Sequence, residues 1–291
     1  MIEVAGLTKR YGEIDAVRGI DLSVDAGEVF GLVGPNGAGK TSTLKMIAGL
    51  VEPTSGRVTV NGIDARDPAM RESLGYLPEE TPLYDDMTPL GYLHFFADLY
   101  DVPRDVADER IERALDRLDL TVRDRPVGDF SKGMKRKVAI ARALVNDPSV
   151  LIFDEPASGL DPATTNTVVE YTRELAERDK TVLFSAHDLY HVEAVCDRVA
   201  IVRDGDITTE GTLREIRDEH GEVTYKVYTD VRVPDATPSG DQWLSTVTSM
   251  AAVDDVREQA AEANGSVIDI RTSESSLEDL FLRVTDPDRN P

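Results

Sequence analysis

The chain has 291 residues, and 55 acidic residues outnumber 32 basic ones, which gives a formal net charge of −23 at pH 7. This length suits one large domain or two unequal ones, and 41% hydrophobic residues can build a substantial core. Proteins bind nucleic-acid phosphates with a basic surface, so this charge argues against a nucleic-acid partner.

Lysine is scarce, since only 8 of the 32 basic residues are Lys. An acid excess with little lysine is typical of a protein that stays hydrated in high salt, where screening weakens the repulsion between its own charges. We therefore expect a halophilic source. A merely acidic surface is the alternative explanation.

The chain has the features of a cytoplasmic protein. Its single Cys196 cannot form an internal disulfide, and no charged-then-apolar leader opens the sequence. No stretch reaches the roughly 18 consecutive apolar residues that a membrane span requires. We expect a chain that does not itself cross a membrane.

Strand and helix patterns alternate along the first two thirds of the chain. Residues 88–147 show mainly the i, i+3, i+4 apolar spacing of helices. Short apolar segments bounded by turns predict strands at residues 2–4, 14–17, 20–24, 29–33, 57–60, 150–153, 181–185 and 199–202. The alternation predicts an α/β fold with a mainly parallel sheet covered on both faces.

The pattern changes near residue 217. Beyond it, residues 223–228 and 267–271 are predicted as strands, 253–263 as a helix, and 234–240 as a loop. We therefore predict a first domain at 1–217, with a helical subdomain at about 88–147, and a small accessory α+β domain at 218–291.

Residues 34–41 match the pattern GxxxxGK[ST] between a predicted strand and a predicted helix. Glycines let the main-chain N–H groups wrap phosphates, and the helix N-terminus adds a positive dipole end. Lys40 can reach the β- and γ-phosphates, and Thr41 can hold Mg²⁺. The segment predicts nucleotide binding by Gly34, Pro35, Asn36, Gly37, Ala38, Gly39, Lys40, Thr41 and Ser42.

An acidic pair, Asp154 and Glu155, directly follows the apolar strand predicted at 150–153. Side chains at the carboxyl ends of such strands emerge where ligands bind in open α/β sheets. We expect Asp154 to join the Mg²⁺ shell and Glu155 to act as general base toward the attacking water.

The segment 131–135, Ser-Lys-Gly-Met-Lys, resembles the signature motif of ABC-type ATPases, with Lys132 where the family usually has Gly. The resemblance covers about residues 2–217 and implies the P-loop ABC ATPase fold. It also implies that Ser131 and Gly133 contact the γ-phosphate of ATP held by a partner protomer. Taken alone, the segment favours an ordinary helix N-cap at Ser131.

Other residues lie where the family pattern expects them. Tyr11 resembles the aromatic residue that stacks on adenine, and Asp161 lies in a loop that resembles the one crossing to the partner. His187 resembles the histidine that senses the γ-phosphate and orders the water. We interpret the basic run Lys132, Lys135, Arg136 and Lys137 as a short positive patch beside a bound polyphosphate.

One departure from the family pattern lies at a position that contacts the metal. Glu79 stands where the family normally has a Gln that contacts Mg²⁺ and links to the membrane subunit. A carboxylate can also ligate Mg²⁺. The metal candidates are therefore Thr41, Asp154 and Glu79, and a loop acid without metal contact is the alternative for Glu79.

The C-terminal residues 276–282, Ser-Leu-Glu-Asp-Leu-Phe-Leu, resemble the tail of the ABC-2 export subgroup, which includes antibiotic-resistance and sodium-extrusion ATPases. The same residues also fit an amphipathic helix. The subgroup resemblance favours export over import.

Taken together, the resemblance implies the ATP-hydrolysing subunit of an ABC transporter. Such a subunit uses ATP and Mg²⁺, forms a homodimer or pairs with a related ATPase subunit, and drives separate membrane-spanning permease subunits from the cytoplasmic face of the membrane.

Two alternatives belong to other classes. A soluble ABC ATPase acting on ribosomes or DNA is disfavoured by the single phosphate loop and by the 90 residues, without heptads, between Lys40 and Ser131. A non-hydrolysing regulatory module is disfavoured by the presence of Glu155 and His187.

Overall fold

The computed structural model describes residues 1–80, 82–186, 189–221, 223–274 and 280–281. It divides the chain into two compact units, Met1–Leu213 and Arg214–Pro291. The strands, in chain order, are β1 Ile2–Tyr11, β2 Ile14–Val24, β3 Val29–Val33, β4 Ser55–Val60, β5 Ile63–Asp64, β6 Leu74–Leu77, β7 Val150–Phe153, β8 Thr181–Ala186, β9 Arg198–Arg203, β10 Asp206–Thr212, β11 Val223–Thr229, β12 Thr237–Ser239, β13 Gln242–Val247 and β14 Val267–Glu274. The helices are α1 Lys40–Ile47, α2 Pro89–Leu99, α3 Arg104–Arg117, α4 Lys132–Leu144, α5 Pro162–Ala176, α6 Leu189–Val195, α7 Leu213–His220 and α8 Met250–Glu262.

The first unit contains two sheets. One has the strand order β10-β9-β3-β8-β7-β6 and is parallel except for β10 at its edge, which pairs antiparallel with β9. The other is antiparallel, with the order β2-β1-β4-β5. The α/β prediction is confirmed. The sequence pattern predicted strands that belong to each of these sheets, but it did not predict that the strands form two separate sheets.

One apolar cluster of this unit lies around α1. Strands β3 and β7 are buried along their whole length, as continuous apolar runs covered on both faces require. Leu44, Met46 and Ile47 of α1 belong to one apolar cluster with side chains of both sheets. This packing fixes the start of α1 relative to the parallel strands.

The strand order brings distant loops together. Strand β8 lies between β3 and β7, with Val33 opposite Ala186 and Phe153 opposite Phe184. Because the strands are parallel, the loops that follow β3 and β7 emerge at the same edge, on either side of the end of β8.

The helices α2, α3 and α4 fall within the predicted helical stretch. Ser131 caps α4, and its hydroxyl accepts a hydrogen bond from the Met134 N–H at 3.2 Å. The other end of α4 lies against β6, where a Cβ on Gly75 would be 2.1 Å from the Ala143 carbonyl oxygen. Only glycine at position 75 permits this approach.

The second unit is an antiparallel sheet with the order β12-β13-β11-β14, on which α8 packs. Its apolar cluster consists of Val227, Val233, Ala236, Val253, Val256 and Ala260. The two units meet after Leu213, the first residue of α7, whereas the sequence predicted a boundary after residue 217, in the same helix.

The prediction that 234–240 is a loop needs correction, because β12 lies inside this segment and pairs with β13 as an edge strand. Of the helix expected at 276–282, only residues 280–281 lie within the described residues. In the described part of the chain, no helix combines the length and apolar character needed to cross a membrane.

Candidate functional site

The phosphate loop connects β3 to α1 at the carboxyl edge of the parallel sheet. Gly39 has φ +105°, and a Cβ there would be 2.4 Å from the Ala16 carbonyl oxygen. No side chain caps α1. The N–H groups of its first turn, where Thr41 and Ser42 lie, are therefore available to an anion at the loop.

The middle of the loop, from Pro35 through Asn36 and Gly37 to Ala38, is held by main-chain bonds. The Ala38 N–H donates to the Pro35 carbonyl at 3.2 Å, and the Ala38 carbonyl accepts from the Gly205 N–H at 3.0 Å. These bonds fix the loop without using its side chains.

Lys40 carries the positive charge of this loop. Its side chain is only 6% exposed, and its Nζ donates to the carbonyl oxygens of Gly34 at 2.7 Å and Pro35 at 3.3 Å. Nζ also lies 3.5 Å from Oε1 of Glu155. The ammonium group is thus held between the phosphate loop and the acidic pair.

Asp154 and Thr41 meet across the strand edge. The Thr41 hydroxyl donates to Oδ1 of Asp154 at 3.1 Å, and the Ser185 hydroxyl donates to the same oxygen at 2.8 Å. Asp154 is fully buried, and its other oxygen, Oδ2, has no hydrogen-bond partner among the described residues. An unpaired buried carboxylate oxygen is costly unless a cation binds it.

Hydroxyl and carboxylate oxygens are ligands that Mg²⁺ prefers, so Thr41 and Asp154 fit this ion. Among the described residues no group of three or more His, Cys, Asp or Glu could hold a metal.

Glu155 adopts an unusual backbone conformation. Its φ is +49°, a left-handed value that costs a non-glycine residue about 1–3 kcal/mol. Its N–H donates to the Ser185 hydroxyl at 3.0 Å, and the residue is 7% exposed. Strain of this kind persists where the surroundings fix the backbone, and it is frequent at active sites.

Ser185 therefore joins the acidic pair, although the sequence analysis did not single it out. Its hydroxyl donates to Asp154 and accepts from the N–H of Glu155. The available signal was a polar residue near the carboxyl end of an apolar strand, beside the strand that carries the two acids.

Glu79 lies in the loop after β6, and its carboxylate is exposed. The structure describes no contact between this carboxylate and Thr41 or Asp154. Its main-chain carbonyl accepts a hydrogen bond from Arg136 at 3.1 Å.

The interpretation of the basic run as a positive patch needs correction at three of its four residues, since Lys132 is exposed but the others are not. Arg136 is 4% exposed, and its guanidinium binds main-chain carbonyls. Lys137 is buried and donates to the Asp119 carbonyl at 3.2 Å, while Lys135 pairs with Asp85 at 3.2 Å. Burial lowers the pKa of Arg136 to about 10, which still leaves it charged at neutral pH.

The signature residues form a separate group. Ser131 is exposed at the start of α4, and Asp161 is exposed at the start of α5. The Thr164 N–H and hydroxyl donate to Asp161 at 3.0 and 2.7 Å and hold the pKa of that carboxyl below its usual value. A Cβ on Gly133 would be 3.1 Å from the Thr164 hydroxyl, so the two helix starts lie together.

Two candidates remain, Tyr11 and His187. Tyr11 is the last residue of β1, with 46% of it exposed, and the Lys9 ammonium lies 5.0 Å from its ring centroid. His187 lies outside the described residues. The structure thus brings together Lys40, Thr41, Asp154 and Glu155, and describes no contact of these four with Ser131, Gly133 or Asp161.

Comparison with known proteins assigns this arrangement to a family. A family model described as ABC transporter matches residues 17–158. The ABC transporter ATP-binding protein NatA of Bacillus subtilis (strain 168) is 41% identical over 224 residues, which are 74% of this chain and 91% of that protein. The linearmycin resistance ATP-binding protein LnrL of the same strain is 33% identical, over 98% of each chain. The Nod factor export ATP-binding protein I of Burkholderia lata is 34% identical, over 98% of this chain and 96% of that protein.

Solved structures agree with these relatives. The ATP-binding subunit of an ABC transporter superposes with a TM-score of 0.70 and 34% identity, covering 75% of this chain and 92% of that chain. A dimeric ABC transporter cassette with bound ADP and Pi, a post-hydrolysis state, gives a TM-score of 0.67 and 27% identity, covering 74% of this chain and 99% of that chain. Another solved cassette of this kind is dimeric, and a further one is part of the ABC transporter complex cbiONQ. The chain belongs to the ATP-binding proteins of ABC transporters and is the ATPase subunit of such a transporter.

Proposed function

We propose that this subunit hydrolyses ATP with Mg²⁺ at the Lys40 and Asp154 site and thereby powers export through separate permease subunits. The observation that carries the proposal is Oδ2 of Asp154, which is buried and unpaired beside the Thr41 hydroxyl. Thr41 and Asp154 would hold the cation beside the phosphate loop, where it would neutralise this oxygen and the phosphates of ATP.

We assign each residue of this site a role. The N–H groups at the start of α1 and the Lys40 ammonium bind the phosphates. Thr41 and Asp154 would hold Mg²⁺, which supplies neutralisation of phosphate charge when bound. Glu155, next to Lys40, orients the attacking water and accepts its proton. Tyr11 stacks on the adenine, and His187 completes the water site.

Glu79 is proposed as an additional Mg²⁺ ligand. Support comes from Arg136, because one guanidinium binds the carbonyls of both Glu79 and Asp154 and so keeps the two loops adjacent. Replacing Glu79 by Ala removes the ligand oxygens and should raise the Mg²⁺ concentration for half-maximal ATPase activity about 10-fold, with Glu80→Ala as the matched control. An unchanged Mg²⁺ requirement in Glu79→Ala would assign this acid to the loop alone.

The second half of each ATP site is proposed to come from a second copy of the chain or from a related ATPase subunit. Ser131 and Asp161 are exposed, and with Gly133 they lie at adjoining helix starts, where a hydroxyl and N–H groups suit a γ-phosphate. The Met1–Leu213 unit therefore holds the residues proposed for hydrolysis, and Arg214–Pro291 is proposed as an accessory domain.

Export rests on the relatives. One of them is named for resistance to linearmycin and another for Nod factor export, and both match nearly the whole chain. We assign this chain to the same export class, bound to its permease at the cytoplasmic face of the membrane. No nucleic acid is expected among its partners, because the net charge is −23.

The deciding experiment is affinity purification of the tagged chain from detergent-solubilised membranes of its own host, followed by ATPase assay. A polytopic membrane protein should co-purify and stimulate hydrolysis. Recovery of ribosomes or of soluble proteins alone would remove the transport assignment and leave the ATPase chemistry.

Adaptation to high salt is proposed from composition. Self-repulsion among the excess carboxylates is screened by salt. The temperature of unfolding should therefore rise between about 0.1 M and about 2 M KCl, since the Debye length falls below roughly 3 Å across that range. A lower unfolding temperature in high salt would contradict this adaptation.

A further inference from the structure

Arg136 connects three parts of the chain through main-chain carbonyls. It lies in the second turn of α4, the helix that Ser131 caps. Its guanidinium donates to the carbonyls of Pro78 at 2.5 Å, Glu79 at 3.1 Å, Asp154 at 2.8 Å, Glu155 at 2.7 Å and Pro156 at 2.9 Å. One side chain thus joins α4 to the loop after β6 and to the segment after β7.

The bonds to Asp154, Glu155 and Pro156 depend on the backbone of Glu155. Successive carbonyls of an extended strand point in opposite directions, so three in sequence face one guanidinium only where the chain turns. The turn here is made by Glu155 with φ +49°. A non-glycine residue keeps such a conformation only when its surroundings fix it.

The Glu155 carboxylate is directed by this turn. Its Oε1 lies 3.5 Å from the Lys40 ammonium, at the phosphate loop. Rotation of the backbone at Glu155 would move the carboxylate away from the place where it meets the attacking water. A shift of about 1 Å in a catalytic group can reduce the rate about 100-fold.

We propose that Arg136 is a positioning residue, which holds the left-handed backbone of Glu155 and thereby places the general base. The inference rests on the role of Glu155 in the proposed function. It also gives α4 a direct connection to the base, because the helix that begins at Ser131 carries the guanidinium.

Lysine is the informative replacement. Lys keeps the positive charge, but its ammonium is a point donor and cannot span carbonyls on two separate loops as the planar fork of Arg does. We expect Arg136→Lys to lower kcat roughly 30-fold while the KM for ATP changes less than about 2-fold. Arg142→Lys is the matched control, because Arg142 lies in the same helix and donates to the Tyr76 carbonyl at 3.0 Å without contacting Glu155.

A double variant separates positioning from general loss of structure. If Arg136 acts through Glu155, adding Arg136→Lys to Glu155→Gln should change kcat less than about 2-fold, because the base is already absent. A further loss as large as that in the wild-type background would overturn the proposal. So would a wild-type kcat in Arg136→Lys.

A loss of ATP affinity in Arg136→Lys has to be distinguished from an effect on the placement of Glu155. If Arg136→Lys weakens ATP binding, Arg136→Gln is measured for the same kcat and KM values. Weakened binding in both variants would overturn the proposal and make Arg136 a structural residue of the whole site. A wild-type kcat in Glu155→Gln, by contrast, would contradict the proposed function itself.

Discussion

The phosphate-loop edge and the signature segment hold their candidate residues in different ways. Lys40, Asp154 and Glu155 are buried and contact one another or the same neighbours across more than a hundred residues of sequence. Ser131 and Asp161 are exposed, and each hydrogen-bonds within its own helix start. The first region is assembled by the fold of one chain, whereas the second is proposed to meet a ligand that another chain brings.

The largest expected effect comes from replacing Glu155, the proposed general base of the phosphate-loop edge. Glu155→Gln should reduce kcat by roughly 100- to 1,000-fold, since general base catalysis contributes effects of that size, while the Kd for ATP stays within about 2-fold. Steady-state hydrolysis and equilibrium ATP binding measure the two quantities. Glu170→Gln, on the exposed face of α5, is the control, and hydrolysis at the wild-type rate by Glu155→Gln would exclude Glu155 as the base.

Lys40→Ala should weaken ATP binding about 100-fold, because a desolvated charge that contacts the phosphates is lost, at roughly 3 kcal/mol. Lys45→Ala, a little over one turn further along α1, is the control. Titration of each protein with ATP gives the affinities. Equal affinities of the two variants would show that Lys40 does not bind the phosphates.

Because the two regions would complete each other across a dimer, variants that are defective in different regions should restore activity when they are mixed. Lys40→Ala and Ser131→Ala should each be inactive or nearly so as pure dimers. An equal mixture should recover about a quarter of the wild-type rate, because half of the dimers then contain one intact site of two. ATPase assays after mixing measure this. Lys40→Ala mixed with Glu155→Gln is the control and should show no recovery, because each copy then has a damaged phosphate-loop half-site and the hybrid contains no intact site. Absence of recovery in the first mixture, although hybrids form, would mean that Ser131 does not complete the site of another copy.

The smallest effect concerns Asp161. Hydrogen bonds from Thr164 lower the pKa of this carboxyl in the folded chain, so its ionised form stabilises the fold above the unfolded pKa of about 3.9. This stabilisation is lost as the pH falls through the lower, folded pKa. The urea midpoint of the wild type should therefore decrease more below about pH 4 than that of Asp161→Asn, in which Asn caps α5 without titrating. Parallel pH dependence of the two proteins would contradict the assigned interaction.

The residues of the phosphate loop and the acidic pair could be predicted because each motif is local. A glycine-rich loop between a strand and a helix, and acids after an apolar strand, follow from residue type and short spacing. The interpretation of Arg136 as part of a solvent-facing patch was wrong because its contacts are not local. Its charge suggested a solvent-facing patch, but its partners are carbonyls contributed by segments that lie 18 to 58 residues away in the sequence.

The sequence by itself determined the α/β class, the phosphate loop and the acidic pair, since periodicity and turn residues are written in neighbouring positions. Only the tertiary structure decided that β8 separates β3 from β7, which puts Ser185 between the loop and the acids. It also decided that Glu155 adopts a left-handed backbone conformation and that its carbonyl accepts a hydrogen bond from the buried guanidinium of Arg136. Such contacts depend on strand order and on long-range packing, and neither is encoded in the spacing of any single motif.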